Sequence, residues 1–209
     1  MERAHLSILN VLLSPERMLV AVDTLAEDAL TGAKSSGAKF LLIPQHNVVL
    51  ACRGSTQFFL RIYALMLQAS FRADFTMEQL AKELTLVIDQ LWPEYEKAAL
   101  EAGLSRQTLG TELVLGGWCP RAGRMIATAY AKSNSTAATV VQPLVGGLAS
   151  PGEPLRAMPD SFAADAVIEA GRIQAAWLNS AAGRQVAGGR LLAIDLRQGR
   201  SVVQDLGQL

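Results

Sequence analysis

The sequence predicts an α+β fold in which antiparallel sheets are covered by layers of helices. The predicted elements follow the order strands, two helices, strands, one helix, strands, so the helices come in blocks. A Rossmann-type sheet would instead place one helix after each strand. The first apolar runs are rich in Val, Ile and Leu without a regular polar face, which is typical of strands covered on both sides.

The first half of the chain predicts two hairpins and two helices. Its predicted strands cover residues 5–13, 17–24, 38–44 and 47–52. Residues 25–37 have the composition of a loop. The segment 58–67 leaves almost no polar face on its helix, which predicts burial or an interface. Thr76, with Gln79 three residues later, predicts a capping box for the second helix, and Pro93 is expected to end or kink it.

The second half predicts further strands around one helix. The predicted strands cover residues 111–118, 124–130, 138–147, 190–195 and 201–204. Pro143 is expected to break the third of them, and a loop is expected over 146–154. The helix is expected to run from Asp160 through Trp177.

Length, charge and cysteine content narrow the functional classes. The 209 residues suit a single domain covering 1–209, and half of them are hydrophobic. The formal net charge of zero argues against a nucleic-acid or anionic-membrane partner. No run is long enough to span a bilayer, and the start of the chain does not read as a secretory signal. Cys52 and Cys119 are expected to be buried thiols, so we expect a cytoplasmic protein.

Neither a metal nor a cofactor is expected. His5 and His46 have no carboxylate or thiol at ligand spacing, and His46 lies next to a predicted turn. The pairs Gly146-Gly147 and Gly188-Gly189 read as tight turns, because the Gly-x-x-x-x-Gly-Lys pattern of a phosphate loop is missing around them.

Three polar residues stand out among the apolar strands at the start of the chain. Asp23 lies 16 residues after Ser7 and 16 residues before Lys39. On neighbouring strands, a hydroxyl, a carboxylate and an ammonium could form a nucleophile with its charge support. The same residues could equally be an ordinary strand serine beside a buried ion pair.

Four motifs in their order and spacing carry a resemblance that extends over nearly the whole chain. They are VAVDT at 20–24, KFLLI at 39–43, ACRGST at 51–56 and TELVLGGW at 111–118. Together they resemble the proteasome β-subunit group of N-terminal-nucleophile (Ntn) hydrolases. The resemblance implies a four-layer αββα sandwich with antiparallel sheets, and a tendency to assemble into homo-oligomeric rings or stacked rings.

The resemblance also implies roles for particular residues. Ser7 falls at the position of the nucleophile, Lys39 at that of the charge support and Asp23 at that of its partner. The backbone of Arg53 and Gly54 falls where the family binds the oxyanion, and Ser150 is the candidate for a supporting serine. In such enzymes the α-amine of the nucleophilic residue is the base, with an ordinary pKa of about 7.7–8.0.

Three departures from the family pattern argue for an inactive protein. Ser7 is preceded by MERAHL, so a free amine requires removal of residues 1–6, and Leu6 stands where the family usually has glycine. Arg53 replaces the expected oxyanion glycine. Before Gly188-Gly189, Arg184 and Ala187 stand where the family has an aspartate and a serine. Asn179 or Ser180 could substitute for these.

The sequence therefore leaves three functions open. The first is a proteasome-like peptidase of the threonine/serine type that cleaves peptide substrates with Ser7 after trimming. The second is a catalytically inactive structural or binding subunit of a homo-oligomeric ring. The third, weaker than both, is a small-molecule amidase on the same fold.

Overall fold

The computed structural model describes residues 7–157 and 159–209, and its strands form two five-stranded antiparallel sheets and one short hairpin. The first sheet contains β1 (Leu9–Leu13), β2 (Arg17–Asp23), β10 (Gly147–Ser150), β11 (Arg190–Arg197) and β12 (Arg200–Gln208). The second contains β5 (Phe40–Ile43), β6 (Val48–Gly54), β7 (Thr111–Cys119), β8 (Arg124–Lys132) and β9 (Val140–Pro143). The hairpin pairs β3 (Leu25–Glu27) with β4 (Lys34–Ser36).

The strand orders are β10-β1-β2-β11-β12 and β5-β6-β7-β8-β9. Within the described residues, the helices are α1 (Thr56–Ala69), α2 (Met77–Glu101) and α3 (Ala164–Ala182), with 3₁₀ turns at Pro44–His46 and Arg106–Thr108. None of these helices is both long and apolar enough to cross a membrane.

Apolar side chains divide the molecule into four layers. Val11 and Val20 of the first sheet share a buried cluster with Val49 and Val114 of the second, so the two sheets pack face to face. The other face of the second sheet packs against α1 and α2. The other face of the first sheet packs against α3. The predicted αββα sandwich with antiparallel sheets is therefore confirmed.

Close packing between the two sheets depends on one glycine. A Cβ atom at Gly116 of β7 would lie 2.2 Å from Cε of Met18, which reaches across from β2. Real Cβ atoms do not approach carbon that closely, so any side chain at Gly116 would displace Met18 from the shared core.

All four predicted hairpins are present, but the segment 25–37 differs from expectation. Strands β1 and β2, β5 and β6, β7 and β8, and β11 and β12 pair as neighbours along the chain. The predicted loop over 25–37 instead contains the paired strands β3 and β4. Both strands are three residues long and lack a buried face, so they left no hydrophobic periodicity for the sequence to show.

Helix α1 exposes part of its apolar surface. Phe58, Phe59, Ile62 and Met66 are buried against the second sheet. Leu60, Leu65 and Leu67 are exposed, and Phe71 just beyond the helix is 88 % exposed. The single chain therefore does not cover this helix on all sides.

Helix α2 continues through Pro93, so of the two expected effects of this proline, an end of the helix is excluded. Trp92 and Tyr95, on either side of the proline, are buried, and this packing offsets a cost of about 3 kcal/mol for proline inside a helix. Only one of the two hydrogen bonds of the predicted capping box is present at the start of this helix. The Thr76 hydroxyl accepts from the N–H of Gln79, whereas the Gln79 side chain donates to Glu83 instead of reaching back to close the capping box.

Two further boundaries differ from the sequence prediction. The strand predicted over 138–147 breaks at Pro143 as expected, but β10, which begins at Gly147, belongs to the other sheet and is not a continuation of β9. Strand β10 therefore lies inside the predicted loop 146–154. Helix α3 begins at Ala164 rather than Asp160.

Candidate active site

Ser7, Asp23 and Lys39 converge at one end of the first sheet, and we refer to them as the Lys39 cluster. The Lys39 ammonium donates to Ser7 Oγ at 3.0 Å and to Asp23 Oδ1 at 2.7 Å. It also donates to the carbonyl of Leu25 at 2.6 Å. All three side chains of the cluster are buried. Hydroxyl, ammonium and carboxylate thus form a continuous hydrogen-bonded chain away from bulk water.

The pairing of strands explains why distant residues meet here. Asp23 is the last residue of β2, which lies between β1 and β11. Ser7 lies two residues before the start of β1, next to the end of β2. Lys39 precedes β5, and its carbonyl accepts from the N–H of Cys52 on β6 at 2.8 Å. The cluster therefore joins the first sheet to the second.

The Asp23 carboxylate is fully buried, and backbone groups complete its hydrogen bonding. The N–H of Ile8 donates to Oδ1 at 2.9 Å, and the N–H of Gly188 donates to Oδ2 at 3.3 Å. Gly188 was predicted only as part of a tight turn. A Cβ at the adjacent Gly189 would lie 2.5 Å from Thr24 Oγ1, so the Gly-Gly pair allows close approach to the end of β2.

Arg53, Glu112 and Ser150 form a second group beside Ser7, and we refer to them as the Arg53 cluster. Arg53 Nε donates to the main-chain carbonyl of Ser7 at 2.7 Å. Its Nη1 donates to Ser150 Oγ and lies 3.3 Å from Glu112 Oε2. Ser150 Oγ donates to the same Glu112 oxygen at 2.8 Å. Burial lowers the pKa of the Arg53 guanidinium, and the charge of Glu112 opposes that shift.

The Arg53 cluster is only partly what the sequence suggested. Ser150 was predicted as a support residue, and it does lie in the same cluster as Arg53. Glu112 was missed. The sequence held one signal for it. Alternate residues of a strand share a face, so Glu112, two positions before Val114 on β7, is a charged residue on the face that packs between the two sheets.

The glycine turn after β6 is present, but its catalytic role stays a prediction. Arg53 and Gly54 end β6, and Gly54 has a φ of 98°, which L-residues rarely adopt. Ser55 then caps α1 by accepting from the N–H of Phe58 at 3.2 Å. The binding of an oxyanion by the backbone of Arg53 and Gly54 remains an expectation.

The region where the family places a late aspartate and serine is occupied differently here. Arg184 pairs with Glu27 on β3, and Ala187 is buried. The Asn179 side chain accepts from the N–H groups of Val186 and Ala187 at 2.7 and 2.9 Å, so it holds this loop. Ser180 is exposed on α3.

The charges of Lys39 and Asp23 act on the thiol of Cys52, but this cysteine is a poor nucleophile. Burial raises its pKa to about 12, an effect that the positive charge of Lys39 only partly offsets. Both cysteines are free and buried, as predicted.

The described residues contain no group of three or more histidine, cysteine, aspartate or glutamate side chains that could hold a metal ion. His46 lies in the 3₁₀ turn after β5, where its Nε2 donates to the carbonyl of Ser70 at 2.9 Å. His5 and the segment 1–6 to be trimmed lie outside the described residues.

The sequence matches no protein-family model and no curated protein. Among solved structures, the chain is similar to Anbu, the ancestral beta-subunit from Yersinia bercovieri, with a TM-score of 0.67 and 12 % sequence identity. The similarity covers 96 % of this chain and 87 % of that one. At 12 % sequence identity, this similarity supports a shared fold and nothing more. The chain has the proteasome-like Ntn fold.

Proposed function

We propose that this protein is a peptide hydrolase of the Ntn type, with Ser7 as the nucleophile after removal of residues 1–6. The observation that carries the proposal is the contact of one buried ammonium, Lys39, with both Ser7 Oγ and the Asp23 carboxylate. In this contact the ammonium lies where it can stabilise negative charge on Ser7 Oγ, which a serine nucleophile requires.

In the proposed reaction, the freed α-amine of Ser7 takes the proton from Oγ while Oγ bonds to the carbonyl carbon of the substrate. The C–N bond then breaks, and the leaving amine takes the proton back from the α-ammonium. A water molecule hydrolyses the resulting ester by the same proton transfers and releases Ser7. Lys39 lowers the cost of negative charge on Oγ, and Asp23 keeps that lysine oriented.

The same proposal includes assembly and location. The exposed apolar surface around α1 suits burial between copies in a homo-oligomeric ring. The free cysteines suit the reducing cytoplasm.

Two measurements test the nucleophile. The intact mass of the purified protein should fall by the mass of residues 1–6, and the trimmed protein should be labelled by an electrophilic β-lactone. Ser7→Ala should abolish trimming and labelling, because both require the Ser7 hydroxyl. Ser180→Ala, an exposed serine on α3, is the matched control and should leave both unchanged. An untrimmed mass under all conditions, or labelling that survives Ser7→Ala, would rule out this mechanism.

The second candidate function is a non-catalytic subunit of such an assembly, and the Arg53 cluster is the observation that favours it. The Arg53 guanidinium already bonds the Ser7 carbonyl, and its bulk replaces the glycine of the family turn. This alternative predicts a stable oligomer without trimming or labelling. Light scattering at micromolar concentration separates it from a monomer of 22.3 kDa.

A further inference from the structure

The Ser7 main chain is held from two opposite sides by charged side chains. On one side, the N–H of the next residue, Ile8, donates to the Asp23 carboxylate at 2.9 Å. On the other, the carbonyl of Ser7 accepts from Arg53 Nε at 2.7 Å. Because the peptide unit between Ser7 and Ile8 is planar, these two bonds together fix its orientation. The direction of Ser7 Oγ toward Lys39 depends on that orientation.

Arg53 can hold the Ser7 carbonyl only if its own guanidinium is held. A guanidinium is a rigid planar fork, so bonding one edge correctly fixes where the other points. Here Nε faces Ser7, while Nη1 faces Ser150 Oγ and the Glu112 carboxylate. Arg53 is buried, and a buried cation without a carboxylate nearby is unfavourable. Glu112 supplies that carboxylate.

Three strands, two from the second sheet and one from the first, set the position of Glu112 and its partners. Arg53 on β6 lies directly opposite Glu112 on β7. Ser150 ends β10, where it lies opposite Leu9 of β1. The buried Gln174 of α3 donates to the carbonyl of Pro151 at 2.7 Å and so fixes the chain just after Ser150. Glu112 of the second sheet therefore acts, through Arg53, on Ser7, which lies just before the first strand of the first sheet.

We propose that Glu112 is a positioning residue for Ser7, acting through Arg53 and Ser150. This inference rests on the proposed Ser7 mechanism. In this arrangement the supporting carboxylate comes from β7. The loop before Gly188, where the family has an aspartate, carries Arg184 in this chain. Besides Glu112, the charges that act on Arg53 include Glu153 and Asp23.

The test compares Glu112→Gln with Glu153→Gln in the trimmed protein, using β-lactone acylation of Ser7 as the probe. Both variants remove one negative charge that acts on Arg53, but of these two carboxylates it is Glu112 that hydrogen-bonds the guanidinium. We expect Glu112→Gln to lower the maximal acylation rate roughly 10- to 100-fold with little change in the lactone concentration at half-maximal rate, because misplaced reacting atoms slow the step itself. Glu112→Asp should restore part of the rate.

The result that overturns the proposal is a normal maximal rate in Glu112→Gln, or an equal loss in Glu153→Gln. If Glu112→Gln does not fold, Ser150→Ala removes only the bridging hydroxyl and should give a smaller loss of the same kind. An unchanged rate there would also count against the proposal.

A separate measurement keeps this inference distinct from the proposed function. In the untrimmed protein, the Arg53 Nε–H proton should exchange slowly with solvent by nitrogen-15 NMR, because it is buried in its bond to Ser7. That protection should be lost in Glu112→Gln and kept in Glu153→Gln. If the wild type is never acylated but this pattern is found, the catalytic proposal fails while the positioning role stands. Unchanged protection in Glu112→Gln refutes the positioning role.

Discussion

Two buried lysines among the described residues each bond an aspartate and a backbone carbonyl, but only Lys39 also bonds a hydroxyl. Lys39 bonds Asp23, a backbone carbonyl and the hydroxyl of Ser7. Lys132, at the end of β8, bonds Asp89 of α2 at 2.6 Å and the carbonyl of Ala137, and Thr139 bonds the same aspartate at 2.7 Å. We refer to Lys132, Asp89 and Thr139 as the Lys132 cluster.

The difference lies in what the hydroxyl contacts. Ser7 Oγ accepts from the ammonium, whereas Thr139 Oγ1 donates to the carboxylate. Positive charge next to an oxygen favours its ionised form, and a carboxylate next to it opposes that form. The Lys132 cluster instead ties α2 to the loop before β9. A lysine, an aspartate and a hydroxyl are therefore insufficient for a nucleophile, and their connectivity matters.

The largest expected effect is that of Asp23→Asn. It leaves the Lys39 ammonium buried without its carboxylate, and breaking such a pair costs about 3–5 kcal/mol of unfolding free energy. Urea denaturation at pH 7 measures this loss, and the proposed mechanism adds that trimming should stop. A loss below about 1 kcal/mol would mean that the pair is not buried as described.

Asp89→Asn, the matching change in the Lys132 cluster, should cost less. The Asp89 side chain is 38 % exposed, so water compensates part of the lost pair, and we expect about 1–2 kcal/mol. Trimming and labelling should stay normal. If Asp89→Asn abolished labelling, the distinction between the two clusters would be wrong.

The pH dependence of that variant sharpens the comparison. The hydrogen bond from Lys132 is the largest effect on Asp89 and lowers its pKa, and Thr139 lowers it further against the effect of burial. A lowered folded-state pKa means that the stabilisation is fully present above the ordinary carboxyl value of about 3.9 and is lost as pH falls through the lower folded value. The difference between wild type and Asp89→Asn in urea should therefore shrink between pH 7 and pH 3. A constant difference would contradict this.

The smallest effect is expected for Thr139→Val. It removes one hydrogen bond to the Asp89 carboxylate at nearly constant volume, for about 1 kcal/mol. Labelling by the β-lactone should be unaffected, in contrast to Ser7→Ala. Loss of labelling in Thr139→Val would show that the Lys132 cluster takes part in the chemistry.

The sequence was informative where structure is local. The hairpin of β1 and β2 follows from the turn residues at Ser14-Pro15-Glu16, and the start of α2 follows from Thr76. It failed where packing outweighs local preference, as at Pro93, and where strands are too short for a pattern, as in β3 and β4. The Lys39 cluster could be predicted because its residues have a regular spacing and lie in motifs that resemble a known family.

What the sequence by itself determined was the layered antiparallel fold and the approach of Ser7 to the end of β2, because hydrophobic patterning and short connections fix which strands pair. The contact of Lys39 with Asp23 joins the two sheets, and the sequence suggested it only through spacing and the family resemblance. The tertiary structure alone decided that Glu112 and Ser150 reach Arg53. Ser150 lies on β10 and Arg53 on β6, which belong to different sheets, and their contact depends on how those sheets stack. Stacking is set by side-chain packing across the whole core, such as Met18 against Gly116, which no local pattern encodes.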